Sequence, residues 1–343
     1  MSIEANEAQE GSPRIAQKVA FLSRPESYPT PSLRVDTVET HMSWVFLTDR
    51  HAYKLKKPVR YDYLDFSTLE ARRRDCVEEV RLNRRLAADV YEGIVPLTID
   101  PQGHMHLAAR GKTIDWLVKM RRLPADRMLD TAIVHGTVHE TDIRKVAALL
   151  LRFYAQTPPV AMLPAAYRRR LGEDVRANDC ELALPAYALP LAQVKAITMA
   201  QLALLEREPG LFDARVQVGR IIEAHGDLRT EHICLEEEPV IIDCLEFNRD
   251  LRILDTVSEL AFLALECERL GAPHVGNVIL ETYRNTTGDR PPERLLQFYK
   301  SYHACIRAKI AVWHLKDGVR DTVQWTRKAK HYLQMVHVSQ KPQ

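Results

Sequence analysis

The feature that most constrains this chain is a change of hydrophobic period near Pro124. Upstream, apolar residues gather in short β-branched and aromatic runs; downstream they recur at helical spacing. Trp44 to Thr48 and His51 to Lys57 are two β-rich runs separated by the polar pair Asp49-Arg50, which predicts a hairpin. Ser67 then predicts a helix N-cap, with Glu70 three residues on completing a capping box. That helix runs through EARRRDCVEEVRLNRRLAADV, its arginines facing water. Further strands follow, with turns at Pro101-Gln102-Gly103 and Arg110-Gly111. Beyond Pro124, Ile143, Val146, Ala147, Leu150, Leu151 and Tyr154 mark one buried helix face. Segment 160–215 alternates helical pieces with prolines, and VSELAFLALECERLG reads as a buried helix ended by Gly271. Strands first and helices later predict an α+β protein. Its parts are a mobile tail over 1–13, a small β-rich lobe over 14–120 and a larger helical lobe over 121–343.

Composition narrows the class without naming a partner. Of 343 residues, 46% are hydrophobic and 27% charged, which suits an ordinary globular core. Lys+Arg 48 against Asp+Glu 46 leave a net charge of +2, which gives no reason to propose nucleic acid. The opening MSIEANEAQEGSP is polar and does not read as a secretory signal, and no window approaches the roughly 18 apolar residues of a membrane span. Six cysteines without a CxxC pair read as reduced, mostly buried thiols. The expectation is a cytoplasmic protein with no membrane partner.

The chemistry concentrates between His225 and Glu246. In HGDLRTEH, Asp227 is followed by Arg229 and His232, and the apolar run PVIID ends on Asp243. Phosphoryl transfer to a hydroxyl needs one acidic residue to orient the hydroxyl and a second to hold Mg²⁺ on the nucleotide phosphates. Asp227 and Asp243 suit those roles, and Arg229 suits neutralising a phosphoryl group. The plain alternative is that Asp227 caps a turn and Asp243 caps a strand. Upstream, Lys54 and Lys56 in AYKLKKPV share one strand face, because residues two apart point the same way.

HGDLRTEHI, PVIIDCLEFN and RILDTVSELAFL together resemble the catalytic region of aminoglycoside phosphotransferase-like kinases, within the protein-kinase-like superfamily. YKLKKPV, LNRRLA and IDCLEFN are similar to a bacterial branch of that family sometimes fused to a P-loop domain. The resemblance spans about residues 30 to 335. It implies a bilobal protein-kinase-like fold and an ATP-dependent phosphotransferase acting on a small-molecule hydroxyl, with GTP not excluded. Asp227 falls on the catalytic base and Asp243 on the metal-binding Asp. Asp255 and Glu259 fall on structural acidic positions. A small-lobe lysine, Lys54 with Lys56 left open, would meet a helix carboxylate, Glu79 with Glu78 as the near alternative. Lys119 to Pro124 would be the hinge, with Met120 and Arg121 meeting the adenine. A P-loop partner domain supplied by another protein is also implied.

Two positions depart from the family pattern. His232 stands where the family places an Asn, so the ion is Mg²⁺ with a lost contact, or Mn²⁺, or Glu246 supplies the missing oxygen. No glycine-rich turn precedes WVFLTD; the equivalent loop is ETHMS, residues 39–43, from which Ser43 and backbone N–H groups would contact phosphate. These departures keep two alternatives open, a nucleotide-binding pseudokinase with a regulatory role and an AMP-transferring enzyme. Two further motifs are decoys. RGKT, Arg110 to Thr113, lacks the earlier glycine of a P-loop, and a zinc or iron site at His225 and His232 has no supporting spacing.

Overall fold

Alternation along His51–Lys56 sets the arrangement of the first part of the chain. Tyr53 and Leu55 point one way, into a cluster with Phe21, Leu22, Phe46, Leu97 and Leu117, and so Lys54 and Lys56 point the other way. In this computed structural model the described residues are 3, 4, 13–61, 64–316 and 322–336. They divide into two units: Met1–Arg127 with Val240–Arg249, and Met128–Pro239 with Asp250–Gln343.

The first unit is built on a six-stranded antiparallel sheet. In chain order its strands are β1 (Asp36–Glu39), β2 (Ser43–Leu47), β3 (His51–Lys56), β4 (Tyr91–Ile99), β5 (Met105–Leu107) and β6 (Lys112–Arg121). Their order in space is β1-β2-β3-β6-β4-β5. The β2–β3 hairpin turns at Asp49-Arg50 as the sequence predicts, pairing Val45 with Lys54 and Ser43 with Lys56. Helix α1 (Ile15–Leu22) contributes Phe21 and Leu22 to the core, and α2 (Leu69–Asn83) packs on β6 and β4. The cap of α2 is Thr68, whose hydroxyl accepts from Ala71 N at 3.1 Å, not Ser67. Ser67 spends both its N–H and its hydroxyl on Asp65, so it closes the turn before the helix. The helix also stops at Asn83 instead of running on toward Val90. Its arginines do not all face water: Arg72 is buried and grips Asp115 of β6 with two nitrogens, at 2.8 and 3.1 Å, while Lys18 of α1 takes the same carboxylate at 2.9 Å.

The unit boundary falls after Arg127, not at 120, because the chain past β6 stays tied to the hairpin. Arg122 N–H donates to the Arg50 carbonyl and its guanidinium to the Thr48 carbonyl. Residues 240–249, expected within the helical lobe, belong instead to the first unit. Three bonds hold them there: Ile241 N to Leu86 O, Cys244 N to Asn83 Oδ1, and Asp243 N to Tyr91 Oη. The tail expected over 1–13 lies outside the described residues except at 3, 4 and 13; Ile3 and Glu4 pair as a strand with Arg60 and Val59.

The second unit is helical. It comprises α3 (Leu129–His135), α4 (Glu140–Gln156), α5 (Pro164–Leu182), α6 (Leu191–Arg207), α7 (Pro209–Gln217), α8 (Thr256–Arg269), α9 (Pro273–Thr287), α10 (Glu293–Lys316) and α11 (Thr322–Gln334). A two-stranded ribbon, β7 (Ile221–Glu223) with β8 (Ile253–Asp255), lies among them. Helix α8 is buried from Thr256 through Cys267, with Glu259 and Glu266 buried among its apolar residues. No helix among the described residues is long and apolar enough to cross a membrane. Cys180 is exposed, and the other five cysteines are buried and free.

Candidate active site

The first unit brings two lysines and four carboxylates together. Lys54 Nζ lies 2.9 Å from Glu79 Oε1 and 2.7 Å from Asp243 Oδ1. Lys56 Nζ lies 2.6 Å from the other Glu79 oxygen, 2.6 Å from Asp75 and 2.5 Å from Glu246. Glu79 therefore joins both lysines, and Glu78, the near alternative, instead pairs on the surface with Arg81. Burial works against both ammonium groups, but the surrounding carboxylates outweigh it and hold each pKa well above its ordinary value. Asp75 is raised, by burial first, with Lys56 opposing.

Asp243 differs from its neighbours in two ways. It adopts φ 61, the left-handed region that a non-glycine residue occupies only when its surroundings enforce it. Its side chain is 43% exposed, whereas that of Glu246 is 9% exposed and turned onto Lys56. The hard oxygens of Asp243 thus suit a divalent cation, and Glu246 is committed to an ion pair.

The second unit carries the loop His225 to His232. Gly226, at φ 88, makes the turn, and Glu259 in the first turn of α8 accepts both the His225 and the Gly226 N–H groups at 2.8 Å. Tyr154 donates to the other Glu259 oxygen at 2.8 Å, so the brace is itself held. Asp255 caps α8 and receives Arg215 through two nitrogens. On the loop, Arg229 reaches back to Asp227 at 3.0 Å and also meets Glu231.

His232 is buried, with Nδ1 2.8 Å from the Asp227 carbonyl and Nε2 2.9 Å from Arg229 Nη2. A carbonyl can only accept and a guanidinium can only donate, so Nδ1 carries the proton and Nε2 supplies the lone pair. Neither nitrogen is left for a metal ion. Placed this way, His232 fixes Arg229 and the Asp227 backbone, which differs from the metal-ligand role considered from sequence.

The remaining candidates take other places. Ser43 is buried, and its backbone closes the β2 turn with Thr40: its N–H donates to the Thr40 hydroxyl and its carbonyl accepts from the Thr40 N–H. Met120 is buried within β6, and Arg121 donates its N–H to the Val90 carbonyl and pairs with Asp89. Arg110 and Gly111 form the turn into β6. Among the described residues, the one group of ligand atoms close enough to share a cation is Asp75, Glu79 and Glu246, not the histidines. Sequence reasoning missed Asp75, although its position one helical turn before Glu79 carried the signal. It also missed Tyr91, which holds the Asp243 N–H, and Arg307, neither of which has a local signature.

The fold is shared with solved choline/ethanolamine kinases and aminoglycoside phosphotransferases. A choline/ethanolamine kinase family protein from Mesorhizobium loti superposes with a TM-score of 0.52 at 15% identity, over 95% of each chain. The GDP complex of aminoglycoside 2'-phosphotransferase-IIIa gives a TM-score of 0.57 at 13% identity, covering 94% of this chain and 98% of that one. Choline kinase from Cryptosporidium parvum gives 0.50 at 10% identity, over 93% and 94%. By sequence, uncharacterized proteins of Mycobacterium tuberculosis and Mycobacterium bovis are 33% identical over 289 residues, 83% of this chain. The chain spans 56% of the length of those relatives. No protein-family model matches it.

Proposed function

We propose that this chain is an ATP-dependent phosphotransferase acting on a hydroxyl of a small molecule, with GTP as an alternative nucleotide and Mg²⁺, or Mn²⁺, as the ion. The observation that carries the reading is the Lys54 bridge between Glu79 and Asp243, which pairs a strand lysine with a helix carboxylate and an exposed aspartate of strained backbone. The fold shared with phosphotransferases and choline kinases supports it. Asp227 would orient the acceptor hydroxyl and take its proton. Arg229, fixed by His232, would steady the phosphoryl group. Asp243 would hold the ion and Lys54 the nucleotide phosphates, with Met120 and Arg121 near the adenine. The bound metal–nucleotide would supply the phosphoryl group and spread its charge. A P-loop partner domain supplied by another protein belongs to the same proposal.

Thermal denaturation with Mg²⁺-ATP and Mn²⁺-ATP, followed by ATP consumption across a metabolite library, tests this. We expect nucleotide to stabilise the chain, and Asp227→Asn to lower turnover by about 100-fold or more while leaving that stabilisation intact. Absence of any nucleotide-dependent shift with either ion would sink the reading. A second reading, a nucleotide-binding pseudokinase, is favoured by one observation: both ring nitrogens of His232 are already engaged where the resembled family has an Asn. It predicts stabilisation by nucleotide without turnover. Transfer of AMP, the third reading, would release pyrophosphate instead of ADP.

A further inference from the structure

Helix α10 of the second unit brings positive charge to the side of Asp227, and α11 brings a second cation beside the same loop. Arg307 of α10 places Nη1 4.0 Å from Asp227 Oδ1, and its Nε, although buried, has no hydrogen-bond partner. The nearest other carboxylate oxygen is Glu266 Oε1 at 3.9 Å. Glu266 is already taken, by the Tyr332 hydroxyl at 2.7 Å and by Arg269 Nε at 2.9 Å. Lys328 of α11 rests 5.3 Å over the Trp325 ring and, among the described residues, pairs with no carboxylate. Burial lowers its pKa and crowding by Arg307 and Arg269 lowers it further, against the smaller opposing pull of Glu231 and Glu266. Glu231, the remaining nearby acid, is bound by Arg229.

Arg307 thus meets its two carboxylate neighbours only at long range, with its Nε unbonded, and Lys328 stands beside the loop with no carboxylate paired to it among the described residues. Charge held away from water is costly unless it is paired. A guanidinium with an open nitrogen also matches an oxyanion in shape. We propose that Arg307 and Lys328 form an oxyanion subsite, so that the acceptor bears a carboxylate or phosphate beside its hydroxyl. The inference rests on the phosphotransferase reading and gives it a substrate class. A polycationic acceptor would be repelled there.

Sulfate is the probe. The full chain, Lys328→Gln and Lys328→Arg are melted over a sulfate series, each with and without saturating Mg²⁺-ATP. General exclusion of sulfate stabilises all three chains alike and cancels in the difference. At ten times the dissociation constant, the wild-type midpoint should rise by about 2 °C more than that of Lys328→Gln. Lys328→Arg should restore the response, and the difference should persist with nucleotide bound. An equal sulfate response in all three chains overturns the subsite. A difference abolished by Mg²⁺-ATP assigns these cations to the transferred phosphate and overturns the acceptor class. If Mg²⁺-ATP itself shifts nothing, the phosphotransferase reading fails separately, and the sulfate comparison still decides whether an oxyanion binds.

Discussion

Lys56 is fully buried, and its ammonium stands where three carboxylates converge closely enough to share a metal ion. It acts as an internal cation. Through Glu79 it is coupled to Lys54, and through Glu246 to the segment that carries Asp243. Removing one partner from a buried ionic cluster leaves the others unpaired, a loss of about 3–5 kcal/mol. Lys56→Met should therefore lower the unfolding free energy measured in urea by that amount, and adding Glu246→Gln should recover part of it. Recovery would not occur if Lys56 merely filled space. Lys54→Met should cost less stability, because Asp243 is half in solvent, yet it should remove stabilisation by nucleotide. The pairing of two lysines on one strand face was legible in AYKLKKPV. Their division of labour was not, since Asp75, Glu79 and Glu246 reach them from a helix and from a loop 190 residues away.

At the scale of elements, spacing predicted α4 and α8 because a buried face repeats every few residues whatever lies against it. How closely the helices approach is a different matter. Gly276 of α9 sits against Ala264 of α8, and a Cβ added there would fall 2.8 Å from the Ala264 Cα and Cβ. Alanine would gain about 1 kcal/mol of helix propensity, but forcing α8 and α9 apart costs about 1–3 kcal/mol. Gly276→Ala should therefore destabilise the chain in chemical denaturation, and Ala264→Gly in the same chain should leave most of that loss in place, because the Ala264 Cα stays 2.8 Å away. A stabilised single variant would show that the helices part freely. The start of α2 teaches a related lesson. Ser67 and Thr68 are both acceptable caps by residue type, and the choice fell to Thr68 because Asp65 had already claimed Ser67.

Across the whole molecule, buried polar groups tie stability to pH. His303 stacks on Phe262 at 4.6 Å and meets the Ser258 hydroxyl; burial pushes its pKa down to about 3. The unfolded chain takes up a proton near pH 6.5, while the folded chain does so only near 3, so the unfolded state binds more protons between them. Stability contributed by the neutral ring is complete above about pH 6.5 and falls as pH drops, by about 1.4 kcal/mol per unit. Urea unfolding between about pH 7 and pH 5 should show this slope. His303→Phe should flatten it while shifting stability by a constant amount; an unchanged slope would clear His303 of the effect. The order of strands and helices, the hairpin and the loop around Asp227 were determined by the sequence alone, because period, turn chemistry and motif spacing act between near neighbours. Tertiary structure alone decided that residues 240–249 join the first unit, that His232 engages both nitrogens within the loop, and that Arg307 comes to stand beside Asp227. Those outcomes depend on which distant charges and carbonyls meet, and burial sets the strength of each encounter.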